Sequence, residues 1–217
     1  PVSGTMALNA RAGLLAGPDG NFYGTTAAGG AINLGSVFKL TPAGVLTTLI
    51  SFTGNSGANP GSGPQAPLIL GADGNYLGTT STGGTGGLGT VFRMTPAGVQ
   101  TTLINFTGTT GANLGSSPQA PLLLASDGNY YGTTTAGGST GFGTFFRLTP
   151  AGGLTTLATF SGTLGTTLGS SPSGLLVQGA DGAIYGTTNA GGLSSVGTVF
   201  RITTAGGLTT LASFTGN

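Results

Sequence analysis

The pairs Asp19-Gly20, Asp73-Gly74, Asp127-Gly128 and Asp181-Gly182 fall 54 residues apart, and Phe38, Phe92, Phe146 and Phe200 keep the same interval without insertion or deletion. Four such copies, over residues 1–54, 55–108, 109–162 and 163–216, account for all but one of the 217 positions. A unit repeated in strict register must solve one packing problem four times, and each solution must fit its neighbour. The chain therefore reads as a single tandem-repeat domain over 1–217.

Seven glycines recur in every copy, in the first as Gly20, Gly24, Gly29, Gly30, Gly35, Gly44 and Gly54, and these take 28 of the 46 glycines. Between them lie short runs of Thr, Val, Leu, Phe and Tyr, which is strand composition, and no helical period of 3.6 survives across the glycines. The first copy predicts strands near 13–17, 21–27, 35–41 and 45–52. Asp19-Gly20 is a tight-hairpin signal, since glycine tolerates positive φ and Asp bonds its own turn. Thr41-Pro42-Ala43-Gly44 supplies a preset φ and a glycine exit, although the fourth copy has Thr204 where the others have Pro. Consecutive strands are thus expected to be antiparallel neighbours.

Strict alternation puts Leu46, Ile50 and Phe52 on one face of the last strand and Val45 and Leu49 on the other, with Leu103, Leu157 and Leu211 repeating Leu49. A four-stranded sheet apolar on both faces must be sandwiched between neighbours, which is the logic of propeller blades or stacked solenoids. The expected class is all-β: four four-stranded antiparallel sheets arranged as a β-propeller, either a closed four-bladed ring or part of a larger or open array. Positions 1 and 217 share one phase of the repeat, so each blade would be a continuous piece of chain with no strand latching the ends. Copies one and four are no more polar than copies two and three, which leads to an expectation of end-to-end association.

The chain contains no His, Cys, Trp or Glu, and Lys, Arg and Asp together supply 4% of its residues. Without a basic cluster, nucleic acid is not an expected partner. No stretch approaches the length of a membrane-spanning helix. Apart from Arg11, each copy holds one Asp and one base: Asp19 with Lys39, Asp73 with Arg93, Asp127 with Arg147, and Asp181 with Arg201. General acid–base work needs two differently tuned groups in one pocket, so these eight residues read instead as turn locks and ion pairs across the second and third strands. No catalytic, cofactor or metal site is expected: a Ser or Thr nucleophile would lack a His, and one carboxylate per copy is too few for calcium. Tyr23, Tyr131 and Tyr185, with Tyr76 one position earlier in copy two, could offer platforms for a sugar, against the alternative of ordinary blade packing. Asn105-Phe106-Thr107 is an isolated glycosylation sequon.

The segments Asp127–Thr134 (DGNYYGTT), Gly143–Gly152 (GTFFRLTPAG) and Asp19–Thr26 (DGNFYGTT) resemble the GloVer-type tandem repeat of bacterial cell-surface, choice-of-anchor proteins. The resemblance runs through all four copies and departs from the pattern at Leu77 (for Tyr), Ala183 (for Asn) and Thr204 (for Pro). It implies an exported, propeller-like protein and brings no catalytic residue.

Threonine and glycine make 84 of the 217 residues, giving a surface of hydroxyls and backbone rather than charges. Uncharged β-rich surfaces associate readily. The expected function is therefore that of a non-enzymatic extracellular or cell-surface structural protein assembling with copies of itself into a filament or layer, as a homo-oligomer or homopolymer. The alternative is a propeller-type recognition module binding glycan or another ligand at repeated blade sites.

Overall fold

The computed structural model describes residues 9–216, and among them every regular element is a strand. Four antiparallel sheets follow one another along the chain, each with its strands in sequence order. Blade 1 holds β1 (Leu15–Ala16), β2 (Phe22–Thr26), β3 (Ser36–Leu40) and β4 (Leu46–Ser51). Blade 2 holds β5 (Ile69–Leu70), β6 (Tyr76–Thr80), β7 (Thr90–Met94) and β8 (Gln100–Asn105). Blade 3 holds β9 (Leu123–Leu124), β10 (Tyr130–Thr134), β11 (Thr144–Leu148) and β12 (Leu154–Thr159). Blade 4 holds β13 (Val177–Gln178), β14 (Ile184–Thr188), β15 (Thr198–Ile202) and β16 (Leu208–Ser213). These are blades of the β-propeller class. The chain divides into two compact units, Pro1–Asn105 and Phe106–Asn217.

The turns form where the local chemistry asks for them. Gly20, at φ 75°, donates its N–H to the Gly17 carbonyl at 3.1 Å, and Gly17 donates to Asn21 at 2.7 Å, closing the β1–β2 hairpin. Between β3 and β4 the Gly44 N–H donates to the Thr41 carbonyl and the Thr41 N–H to Val45, both at 2.9 Å. The fourth copy makes the same pair of bonds, Gly206 to Thr203 at 2.9 Å and Thr203 to Gly207 at 3.1 Å. The proline ring is therefore dispensable to that turn's hydrogen bonding.

Alternation along the last strand is where the sequence reading needs correction. Leu46 pairs with Leu40 and Thr48 with Phe38, yet Ile50 pairs with Val37, so the register shifts between Val37 and Phe38. Directly paired residues share a face and consecutive ones do not. Leu46 therefore lies opposite Ile50 rather than beside it, and Leu49 is the extra residue of a β-bulge. Leu49 packs against the same cluster as Ile50 and Phe52, not on the other side of the sheet. The shift recurs in every copy, between Val91 and Phe92, Phe145 and Phe146, and Val199 and Phe200.

Register also defines two distinct faces per blade. The first carries Phe22, Phe38 and Leu40 in blade 1; the second carries Tyr23, Val37, Ile50 and Phe52, whose N–H donates to the Gly35 carbonyl at 3.1 Å. In the first unit, the second face of blade 1 packs on the first face of blade 2, joining Val37, Ile50 and Phe52 to Tyr76, Phe92 and Met94. In the second unit, Tyr131, Phe145 and Phe160 of blade 3 meet Ile184, Phe200 and Ile202 of blade 4 in the same arrangement. Fully burying one such aromatic contributes roughly 1.5–3 kcal/mol, so these inter-blade clusters contribute strongly to stability. Edge-on rings join the two faces: Phe52 and Phe92 centroids lie 5.3 Å apart, and those of Phe160 and Phe200 lie 5.2 Å apart.

Candidate functional site

Each blade holds its one Asp in the Asp-Gly turn, and each turn builds the same lock from slightly different parts. In blade 1 Asp19 accepts the Asn21 backbone N–H at 3.2 Å and, on its other oxygen, the Asn21 Nδ2 at 2.7 Å and the Tyr23 hydroxyl at 2.9 Å. Asp127 of blade 3 accepts the Asn129 backbone at 3.0 Å, the Asn129 Nδ2 at 3.0 Å and the Tyr131 hydroxyl at 2.8 Å. The β2–β3 ladder brings the base of each copy across from the tyrosine position: Lys39 faces Tyr23, Arg93 faces Leu77, Arg147 faces Tyr131 and Arg201 faces Tyr185.

The two copies that depart from the pattern show what the base does. In blade 2 Leu77 offers no hydroxyl; Asp73 keeps its bonds from Asn75 at 3.1 and 2.7 Å and gains an ion pair with Arg93 Nη1 at 3.7 Å. In blade 4 Ala183 offers no amide side chain, and Arg201 takes its place, donating Nε at 3.0 Å and Nη2 at 2.7 Å to Asp181 Oδ2. The Tyr185 hydroxyl reaches the same oxygen at 3.0 Å. The guanidinium thus substitutes for whichever neutral donor is missing.

These bonds hold every carboxyl below the usual carboxylate range. The Asn21 amide does so for Asp19, the Asn75 amide for Asp73 and the Arg201 guanidinium for Asp181. At Asp127 burial works the other way, and the bonds from Asn129 and Tyr131 outweigh it. Burial together with Asp127 pushes Tyr131 up to about 12, and burial with Tyr76 and Asp19 pushes Tyr23 higher still. A carboxylate hydrogen-bonded within its own hairpin and held at a depressed pKa is a weak proton acceptor at neutral pH, and here those bonds lock the turn.

Tyr23, Tyr76 and Tyr131 are buried, the first two with ring centroids 4.2 Å apart, so their rings present no open platform. Tyr185 is half-buried. A depression of about 180 Å³ lies near it, lined by Asp181, Gly182, Ala183, Arg201, Thr203 and Thr204. Two of these, Ala183 and Thr204, are the smaller or more polar residues that set copy four apart. Asn105 of the sequon accepts the Thr85 N–H through Oδ1 at 2.9 Å, and Phe106 beside it is buried. Among the described residues no three His, Cys, Asp or Glu side chains come together as a metal site, and no helix is long and apolar enough to cross a membrane.

Repeat-built all-β blades with locked hairpins define a tandem-repeat protein of the propeller class. A family model for the Gloeobacter/Verrucomicrobia repeat matches residues 2–169 and, overlapping, 61–217, and the chain belongs to that family. No curated relative matches its sequence. Among solved structures it is similar to virginiamycin B lyase from Staphylococcus aureus, with 19% identity and a TM-score of 0.58 over 91% of this chain and 54% of the lyase. The extracellular domain of a hybrid two component system from B. thetaiotaomicron is similar at 12% identity and a TM-score of 0.63, over 96% of this chain and 23% of that one. A gluconolactonase-type structure is similar at 14% identity and a TM-score of 0.59, over 98% of this chain and 68% of its own. The chain spans about half the length of the lyase, and at such identities the likeness is one of fold alone.

Proposed function

We propose that the chain is a non-enzymatic structural repeat protein, exported to the cell surface or beyond, which assembles with copies of itself into a filament or layer. The observation that carries this reading is a surface nearly free of charge that leaves large apolar side chains in solvent, among them Ile32, Val99, Leu164 and Leu193. Exposed apolar side chains on a β-rich surface with few charges favour association. The closed Asp turns support the non-enzymatic part, since each carboxylate is already spoken for by its own hairpin. An extracellular location is supported by the family and by the similarity to an extracellular domain. Light scattering over a hundredfold concentration range, with negative-stain electron microscopy, tests the reading. Regular filaments or sheets are the expected result; a monodisperse single chain at every concentration contradicts it.

The depression beside Tyr185 favours a second reading, a recognition module taking a glycan or similar polyhydroxylated ligand against Thr203, Thr204 and the Asp181–Arg201 pair. Calorimetric titration with a broad glycan panel discriminates, because absence of heat throughout the panel removes this reading and leaves the first untouched.

A further inference from the structure

We propose that Asp73 is the protein's leading site of spontaneous isoaspartate formation, a slow covalent change that unlocks the β5–β6 hairpin of blade 2. All four Asp residues are followed by glycine, the neighbour that least hinders attack by its own amide nitrogen on the aspartyl carboxyl, and the chain contains no Asn-Gly pair to compete. The glycine nitrogen is held alike in each turn: Gly20 donates to Gly17 at 3.1 Å, and Gly74, Gly128 and Gly182 donate to Gly71, Ala125 and Gly179 at 3.0 Å. Space is alike too, with nothing within 4 Å of a methyl built on any of these four glycines. The copies differ in how firmly the carboxyl is held in its turn.

Asp19 and Asp127 each accept three bonds, two from an Asn and one from the hydroxyl of a buried tyrosine. Asp181 accepts four, two of them from Arg201. Asp73 accepts two, both from Asn75, because Leu77 stands at the tyrosine position. Arg93 comes only within 3.7 Å, and the Asp73 side chain is 46% exposed. A bond anchored by a buried ring resists the side-chain rotation that the reaction requires, and an exposed guanidinium at ion-pair distance resists it far less. The reaction balances with solvent as its only partner. The Gly74 nitrogen bonds to Cγ of the protonated Asp73 carboxyl, the nitrogen's proton and the carboxyl hydroxyl leave together as water, and a second water reopens the cyclic imide. Opening at the α-carbonyl leaves the main chain running through Cβ, one carbon longer. β5 has only two pairs with β6, Ile69 with Leu77 and Leu70 with Tyr76, so an added backbone atom at this turn disturbs the whole of the short strand's register.

Incubation of the full chain in water labelled with heavy oxygen, followed by peptide mass spectrometry with fragmentation that separates isoaspartate from aspartate, tests this. The expected result is isoaspartate and label first at Asp73, about tenfold faster than at Asp19 or Asp127, which is the effect of one missing bond to a carboxylate, and slowest at Asp181. In denaturant the four sites should react at similar rates. Two variants move the native ranking: Leu77→Tyr slows Asp73 to the pace of Asp19, and Tyr131→Phe, which deletes only a hydroxyl, speeds Asp127 to the pace of Asp73. Circular dichroism confirms folding, and if Leu77→Tyr does not fold, Tyr131→Phe carries the comparison. Equal native rates, a lead by any other Asp, the same ranking in denaturant, or an Asp127 rate unchanged by Tyr131→Phe overturns the assignment. So does label that reaches none of the four over a time in which the denatured chain is fully converted. Hydrogen exchange in the converted protein should rise at β5 and β6 and nowhere else; unchanged exchange there overturns the unlocking.

Discussion

Arg201 donates two hydrogen bonds to a single oxygen of Asp181, Nη2 at 2.7 Å and Nε at 3.0 Å, in the one repeat where alanine stands in place of asparagine. The guanidinium does by charge what the Asn amide does by neutral bonding in the other three copies. An exposed ion pair weakens with salt, and a neutral amide bond does not. Arg201→Met is therefore expected to lower the melting temperature at low ionic strength and to have little effect at high salt. In an Ala183→Asn background the low-salt effect shrinks, because the depression beside Ala183 admits the amide that takes over. A double-mutant cycle by calorimetry at two salt concentrations checks this; equal cycles at both salts contradict it.

The stability profile against pH follows from the same turns. All four carboxyls sit below their ordinary value, with the Asn21, Asn75 and Arg201 donors first for Asp19, Asp73 and Asp181, and Asn129 overcoming burial at Asp127. A depressed carboxyl contributes stability that is present above its unfolded value of about 3.9 and lost as pH falls through the folded value. Tyr131, raised to about 12 by burial and Asp127, has the opposite sign: its contribution is whole below its ordinary value of 10.0 and lost as pH rises past it. With no His in the chain, urea midpoints should be flat from about pH 5 to about pH 9, falling outside that range. A transition between pH 5 and pH 8 would refute the assignment.

Gly78 lies under the Phe92 ring, and the two face each other in the β6–β7 ladder. An added methyl would stand 2.6 Å from Phe92 Cζ and 2.8 Å from Leu68 Cδ2, and both of those side chains are buried. Gly78→Ala should therefore cost about 1–3 kcal/mol through overpacking. Gly74, at φ +77° with nothing near its hypothetical methyl, should cost roughly 1–2 kcal/mol as Ala, through backbone strain alone. The two are separable, since Phe92→Leu makes room at Gly78 and does nothing for Gly74. Denaturant titrations of the two double variants decide: recovery in the Gly78 pair alone is expected, and recovery in both or neither contradicts the distinction.

What could be read from the sequence was local or periodic. Asp19-Gly20 and Thr41–Gly44 name their turns because the bonds that close them span a few residues, and a fixed 54-residue interval carries one copy's reading to the others. The bulge at Leu49 escaped because alternation assumes one partner per residue, and an extra residue shows only when two strands are laid together. One signal was available: position 49 is followed by an apolar residue in all four copies, as Ile50, Ile104, Ala158 and Ala212, and two adjacent apolar residues in every repeat break an alternating pattern. At the turns, the Asp was legible but its tyrosine was not. Tyr23 reaches Asp19 only after β1 and β2 have paired, and the same pairing that makes the bond buries the ring. Arg201's role depends likewise on a ladder that sets it beside a turn from which Asn is missing.

Phe52, Phe160 and Phe214 are one residue at one repeat position, and their environments separate them. Phe52 packs edge-on to Phe92, Phe160 edge-on to Phe200, and both are wholly buried, while Phe214 stands nearly half exposed. Truncating a buried phenylalanine removes its transfer energy and leaves a cavity, so Phe52→Ala and Phe160→Ala should each cost about 3–5 kcal/mol. Phe214→Ala opens no enclosed cavity and should cost roughly 1 kcal/mol or less in dilute solution. If a second copy covers this face, that third value must grow with protein concentration, since association stabilises only the chain that can associate. Thermal unfolding of the three variants at low and high concentration gives both answers, and a Phe214→Ala effect as large as the other two in dilute solution would show that the face is already covered within one chain.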